Sequence, residues 1–222
     1  YVCTSSNAIW SQQAYIKASN TGSDDQFGWS VALSGNTMVV GAPNEDGNGI
    51  GINPVDSGTI SNSGAVYVFT RSGPVWSQQA YLKASNTGRK GNSDEDPGDG
   101  DQFGFSLALS GDGNTVAVGA NSEDAVAAGA KTDPKDDSWR SAGAVYVFAR
   151  SGSTWTQQAY LKADASTNMG LGDQFGFSLA INANGNTLAV GVYDESGSGR
   201  TVNAPVDRMR GGSGAVYVFA RS

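Results

Sequence analysis

The chain has 222 residues and a formal net charge of −7, and 38% of its residues are hydrophobic. This composition supplies enough apolar side chains for a core and too little charge for a disordered chain. With no histidine and a single cysteine, Cys3, the chain excludes histidine-based catalytic triads, a disulfide framework and a thiolate zinc site. We expect no haem, zinc or nucleotide cofactor. We also expect no membrane insertion, because no run of about 18 apolar residues occurs.

The chain opens on half of a repeat. Residues 1–19 align without a gap with residues 67–85, and the tryptophans of the two stretches coincide. The alignment predicts the end of one strand at residues 1–4 and a second strand at residues 10–18. Cys3 falls on the aromatic Phe69, so we expect it to be a small hydrophobic residue within a strand.

Three longer repeats follow; the first two have four strand-like runs, which we label A to D, and the third has runs A to C. In the first repeat these are FGWSVALS, TMVVGA, GAVYVFTR and WSQQAYLKA, and runs C and D predict a hairpin across residues 72–74. The motif GAVYVF returns at Gly64, Gly143 and Gly214. Repeated four-stranded antiparallel units predict an all-β fold, a β-propeller. We place the repeats at about 20–85, 86–163 and 164–222, after a blade fragment at 1–19.

Two short motifs accompany these strands. Phe-Gly and Gly-Ala pairs stand at Phe27-Gly28 with Gly41-Ala42-Pro43 and at Phe103-Gly104 with Gly119-Ala120, and the third repeat has Phe175-Gly176 with Gly191 alone. In these motifs the chain resembles the FG-GAP repeat family, which forms the seven-bladed head of integrin α subunits and occurs in bacterial surface proteins. The resemblance implies an extracellular or cell-surface protein with a role in cell adhesion.

About three blades cannot close a ring, since propellers have four to eight. We therefore expect this sequence to be part of a six- to eight-bladed ring. The remaining blades come either from the same longer chain or from further copies, and we favour the longer chain.

In a propeller the D-to-A and B-to-C loops emerge on one face. These loops contain all but one of the 21 acidic residues, the exception being Asp112. Such a face excludes nucleic acid as a partner and favours a cation such as Ca²⁺. The alternative is an acidic surface that keeps the protein soluble.

Calcium could be held by oxygen side chains at alternate positions before a glycine or by the repeated aspartate of DQFG. The family's own calcium loop lies at the A-to-B turn, which is too short here to carry that site over. For the repeated aspartate the alternative role is to accept backbone N–H groups at the turn into strand A. The candidate metal ligands are Asn44, Asp46, Asn48, Asp25, Asp101 and Asp173.

Residues that break the repeat are the better candidates for ligand binding. Trp139, Arg140 and Tyr193 lie in B-to-C loops, and Trp and Arg are enriched at binding hot spots. The alternative for Trp139 is an apolar anchor that holds its loop against the fold.

We therefore expect a binding or adhesion module that presents long acidic loops to a protein or glycan at a cell surface. The alternative is a structural or assembly unit of a large extracellular protein or filament. We expect no enzymatic activity. The minor alternative is a hydrolase or lyase that uses paired carboxylates, Asp133 with Asp136 or Asp99 with Asp101.

Overall fold

A computed structural model describes residues 1–6, 9–58, 60–87, 100–124, 141–163, 172–204 and 209–221. Thirteen β-strands make up the regular structure of these residues, which confirms the all-β prediction. None of the described residues belongs to a helix that could span a membrane. The strands are β1 (Val2–Ser6), β2 (Ile9–Ala14), β3 (Ser30–Ser34), β4 (Thr37–Ala42), β5 (Ala65–Ser72), β6 (Val75–Leu82), β7 (Ser106–Leu109), β8 (Thr115–Ala120), β9 (Ala144–Ser151), β10 (Thr154–Leu161), β11 (Phe175–Ile181), β12 (Thr187–Val192) and β13 (Ala215–Ala220).

The strands form four antiparallel sheets in chain order. Two sheets have four strands, β3-β4-β5-β6 and β7-β8-β9-β10, which we call blade 1 and blade 2. A three-stranded sheet, β11-β12-β13, is blade 3, and β1 and β2 form the N-terminal hairpin. The order of strands within each sheet is the predicted A to D, and the sheets are the blades of a β-propeller.

The repeated Gln-Gln pair of strand D produces a β-bulge. In blade 1, Phe69 pairs with Gln78 while Val68 pairs with Ala80, so Gln79 is the extra residue. Blade 2 has the same bulge at Gln158. A bulge re-aims the side chain of its extra residue. The Gln79 side-chain oxygen accepts a 3.0 Å hydrogen bond from the indole N–H of Trp155 in the neighbouring blade.

The Phe-Gly and Gly-Ala motifs meet where one blade packs against the next. The Ser30 hydroxyl of blade 1 donates a 2.6 Å hydrogen bond to the carbonyl oxygen of Gly104 in blade 2. A Cβ atom on Gly41 would overlap that same carbonyl oxygen. Gly119 meets the carbonyl oxygen of Gly176 in the same way between blades 2 and 3. The glycines therefore recur because two backbones approach closely at every blade boundary.

Repeated aromatic residues fill the space between blades. Phe103 begins blade 2 fully buried, and its ring lies 5.3 Å from Tyr146 and 6.0 Å from Phe148 in edge-on contacts. Trp155 is 2% exposed, whereas Trp10 at the same repeat position is 73% exposed. The buried aromatic residues of blade 2 belong to one core cluster with Val66 of blade 1, so they pack between blades, whereas Trp10 does not. Cys3 lies in a strand as predicted, but it is exposed.

Candidate binding face

The D-to-A and B-to-C loops lie on one side of the sheets, because strands A and C begin there and strands B and D end there. We call this side the loop face. Among the described residues it comprises 15–29, 43–58, 60–64, 83–87, 100–105, 121–124, 141–143, 162–163, 172–174, 193–204 and 209–214.

A buried ion pair lies beneath the loop face in blade 1. The Lys83 ammonium contacts Glu45 Oε2 at 2.8 Å and donates a 2.7 Å hydrogen bond to Ser63 Oγ. The Tyr81 hydroxyl and the Asn20 side-chain amide each donate to Glu45 Oε1 at 2.8 Å. Lys83 is fully buried and Glu45 is 3% exposed, and the several hydrogen bonds offset the cost of removing both charges from water.

Blade 2 repeats this arrangement. Lys162 Nζ lies 2.5 Å from Glu123 Oε2, and Asn86 donates a 2.9 Å hydrogen bond to Glu123 Oε1. The Tyr146 hydroxyl donates in turn to Asn86 Oδ1 at 2.6 Å. Each network joins the start of a B-to-C loop, the end of strand D and the D-to-A loop that leads into the blade, so the loops rest on a fixed support.

The titration behaviour of the network in blade 1 follows from burial. Burial raises the pKa of the Glu45 carboxyl above its ordinary 4.5, although Lys83 opposes the shift. Burial would also raise the pKa of Asp56, but Lys83, the Tyr81 hydroxyl and backbone N–H groups together lower it. Burial and the negative charge of Glu45 raise the pKa of Tyr81, so its hydroxyl stays protonated and able to donate. The network therefore holds the start of the B-to-C loop through a buried carboxylate and the groups that donate to it.

A row of aromatic rings crosses the loop face where the A strands begin. Trp29, Phe105 and Phe177 each follow the glycine of a Phe-Gly motif, and neighbouring ring centroids lie 5.6 and 5.4 Å apart. Tyr193 ends the row, stacked on Phe177 at 5.0 Å with 26° between the ring planes. Trp29 is 55% exposed and Tyr193 is 63% exposed, so both ends of the row are open to a partner.

Tyr193 is therefore one predicted ligand-binding residue that the structure places in a definite surface feature. It directly follows β12 at the start of the B-to-C loop of blade 3. Trp139 and Arg140 lie outside the described residues, as do Asp99, Asp133 and Asp136.

The predicted calcium ligands of blade 1 make hydrogen bonds within their own loop. The Asn48 side-chain oxygen accepts from the Ser57 hydroxyl at 2.8 Å, and Asp46 Oδ1 accepts from the Asn62 backbone N–H at 2.9 Å. Asn44 begins this loop and is half-buried. Across the described ranges no three acidic or cysteine side chains come together as a metal site. Calcium binding by these residues stays a prediction of the sequence.

The repeated aspartate of DQFG is buried in all three repeats. Asp25 is 8% exposed, Asp101 5% and Asp173 4%. The Asp25 carboxylate accepts a hydrogen bond from the backbone N–H of Gly22. This contact agrees with the alternative role of the aspartate at the turn into strand A.

Sequence reasoning missed the buried ion pairs, since it treated Glu45 and Glu123 as surface acids. The available signal was the repeat itself. Lysine follows the Gln-Gln-Ala-Tyr motif of each D run, at Lys17, Lys83 and Lys162, and glutamate recurs after each B run. Two oppositely charged residues fixed by the same repeat predict a structural pair.

Comparison with known proteins identifies a repeat family for part of this chain. A family model described as an FG-GAP repeat matches residues 10–69. The match runs from β2 into β5 and includes Phe27-Gly28 and Gly41-Ala42-Pro43, which confirms the resemblance drawn from those motifs. No curated protein matches the chain.

Proposed function

We propose that this chain, a member of the FG-GAP repeat family, is an extracellular or cell-surface binding module whose loop face binds a protein or glycan. FG-GAP repeats usually occur in extracellular or surface proteins, and their propellers are typically non-enzymatic.

The observation that carries the proposal is the exposed stack of Tyr193 on Phe177. Tyrosine combines a rigid ring with a polar hydroxyl, so it contributes contact area at a small cost in side-chain entropy. Tyr193 breaks the repeat, because Pro43 and Asn121 stand at the same position in blades 1 and 2. A residue that the fold does not require is a better candidate for recognition than one that every blade needs.

The buried ion pairs support this role by fixing the loops before a partner arrives. Glu45 and Glu123 each begin a B-to-C loop and are fixed to strand D by a buried lysine. Preformed loops lose less conformational entropy on binding. The acidic residues that remain exposed on the face, such as Asp46 and Asp194, favour a partner with basic groups at the contact.

Binding of the fluorescently labelled chain to intact cells of the producing organism tests the proposal. We expect saturable binding that weakens with salt and that Tyr193→Ala reduces about tenfold or more, the loss typical of a hot spot. Val202→Ala is the matched control, because Val202 is 91% exposed in the same loop. Treating the cells with protease or with glycosidase distinguishes a protein partner from a glycan. No saturable binding, or equal binding by the two variants, would contradict the proposal.

Calcium would act in this module as a loop stabiliser. The expectation is a higher melting temperature in millimolar Ca²⁺ than in EDTA, since a ligand bound only by the folded state stabilises it. An unchanged melting temperature would remove calcium from the account and leave the aromatic row unaffected.

A further inference from the structure

The buried ion pair of blade 1 has a second carboxyl group beside it. Lys83 Nζ lies 2.8 Å from Glu45 Oε2 and 3.7 Å from Asp56 Oδ2. Lys83 is fully buried, and only 4% of the Glu45 side chain and 11% of the Asp56 side chain are exposed. One buried ammonium therefore stands beside two carboxyl groups of the same B-to-C loop, although an ion pair needs only one.

The two carboxyl oxygens of Asp56 have different surroundings. Oδ1 accepts hydrogen bonds from the backbone N–H groups of Asn48 at 2.7 Å, Gly49 at 3.2 Å and Gly58 at 3.4 Å. Oδ2 instead lies 3.0 Å from the Tyr81 hydroxyl and is the oxygen that the buried ammonium approaches. Convergent backbone N–H groups stabilise the negative charge that develops on one oxygen of a carboxyl group when a nucleophile attacks its carbon.

A chain of hydrogen bonds leads from the ammonium to Asp56 Oδ2. Lys83 Nζ donates to Glu45 Oε2 at 2.8 Å. The Tyr81 hydroxyl lies 2.8 Å from Glu45 Oε1 and 3.0 Å from Asp56 Oδ2. Glu45 is therefore placed to take a proton from the amine at one oxygen and to pass a proton on through the tyrosine hydroxyl from the other, as a general acid–base catalyst does.

The loop is shaped to hold Asp56 in this place. A Cβ atom on Gly47 would overlap the Asp56 carboxyl group, so the glycine makes room for it. Asn53 fixes the loop to strand D, because its backbone N–H donates to Tyr81 O at 2.7 Å and its side-chain oxygen accepts from the Tyr81 backbone N–H at 2.8 Å. Groups that are held together in this way react far more readily than the same groups free in solution.

We propose that blade 1 forms an amide bond between Lys83 Nζ and Asp56 Cγ, with Glu45 as the catalytic residue. The amine attacks Cγ, the bond from Cγ to Oδ2 breaks, and Oδ2 leaves as water. The ammonium loses two protons, and both reach the departing oxygen through Glu45 and Tyr81. Glu45 ends as it began, and no oxidant or co-reactant is consumed. Burial favours the reaction, because two charges that water does not solvate become one neutral group.

The bond joins the B-to-C loop covalently to the end of strand D. It closes residues 56–83, which include β5 and β6, into a ring. Such a cross-link restricts the unfolded chain as a disulfide does, but it persists in reducing buffer. The proposal concerns the support beneath the loop face and does not depend on what that face binds.

Mass spectrometry of the unfolded 222-residue chain tests the proposal. After incubation at neutral pH, we expect the 22.8 kDa chain to be lighter than its sequence by one water molecule, and proteolysis to yield a branched peptide that joins Asp56 to Lys83. Asp56→Ala and Lys83→Arg should each keep that water, and Glu45→Gln should lose it about 100-fold more slowly. Val55→Ala, at a 97% exposed position beside Asp56, is the control and should lose the water as the original chain does.

A chain that keeps the full mass of its sequence would overturn the proposal, and this result requires no variant to fold. So would a loss of water without the branched peptide. An aspartate followed by glycine, as at Asp46-Gly47, can lose water by cyclising onto its own backbone. The branched peptide distinguishes the two reactions, because only the proposed amide joins two distant parts of the chain.

Discussion

Blades 2 and 3 contain the same strand in two different surroundings. Strands β9 and β13 both begin with the sequence AVYVFA. Val145 in β9 is fully buried, whereas Val216 at the same position in β13 is 68% exposed. Strand β10 covers one edge of β9, and among the described strands only β12 pairs with β13. The comparison shows that the sequence AVYVFA determines that a strand forms, whereas the neighbouring strands determine how deeply its side chains are buried.

The largest expected effect comes from breaking the buried ion pair of blade 2 at Lys162, the residue that follows β10. Lys162→Met leaves Glu123 buried without its ammonium partner, at 1% exposure. We expect the free energy of unfolding to fall by about 3–5 kcal/mol, the usual cost of breaking a buried pair. Urea unfolding followed by circular dichroism measures it.

The double variant Lys162→Met with Glu123→Leu is the control for that experiment. It removes both charges, so it should recover much of the loss, since a hydrophobic pair of similar volume is often tolerated. A double variant as unstable as the single one would mean that packing, and not the unpaired carboxylate, causes the loss.

The next largest effect concerns the glycine of strand B, whose replacement by alanine should cost more in blade 2 than in blade 3. Gly119 faces the backbone of blade 3, so Gly119→Ala should destabilise by about 1–3 kcal/mol, the range for overpacking. A Cβ atom on Gly191 in blade 3 would overlap the Ser178 hydroxyl, which can rotate away, and would meet its nearest backbone atom at an ordinary contact distance of 3.6 Å. Gly191→Ala should therefore cost less. Equal losses in thermal unfolding would show that the blade boundary at Gly119 is looser than described.

The smallest expected effect concerns the A-to-B turns of blades 2 and 3, whose contributions to stability differ in their dependence on pH. Hydrogen bonds from Ser110 and Asn114 lower the pKa of Asp112 below its ordinary 3.8 in blade 2. Its carboxylate thus stabilises the folded state above about pH 3.8, and this contribution is lost as the pH falls through the lowered pKa. Blade 3 has Asn184 at the same position, where it accepts the same backbone hydrogen bond.

Asp112→Asn places at this turn of blade 2 the residue type that blade 3 has at the same position. We expect the difference in melting temperature between pH 7 and pH 3 to shrink slightly in this variant. The change is small because Asp112 is exposed. A variant whose acid sensitivity equals that of the original chain would assign the effect to other carboxylates.

The sequence predicted strand order and the blades well, because the repeat shows the same four runs three times. Run B was predicted to its observed ends, Thr37–Ala42, and the hairpin between runs C and D lies where the turn residues predicted it. Run A begins later than predicted in blades 1 and 2, at Ser30 and Ser106, whereas in blade 3 it begins at the phenylalanine of the Phe-Gly motif, Phe175.

The candidate site was harder to predict, because its parts come from different repeats. Tyr193 stood out by breaking the repeat, but its stack on Phe177 depends on the fold that brings the loop over strand A. The buried lysines were missed because a charged residue at the end of a strand is expected at the surface unless its buried partner is known.

Amide hydrogen exchange of β9 and β13 tests the central comparison most directly, since the two strands share one sequence. We predict slow exchange throughout β9. In β13 the amides that point away from β12 should exchange far faster. Equally slow exchange in both strands would contradict the account, because it would mean that the outer edge of β13 is already covered.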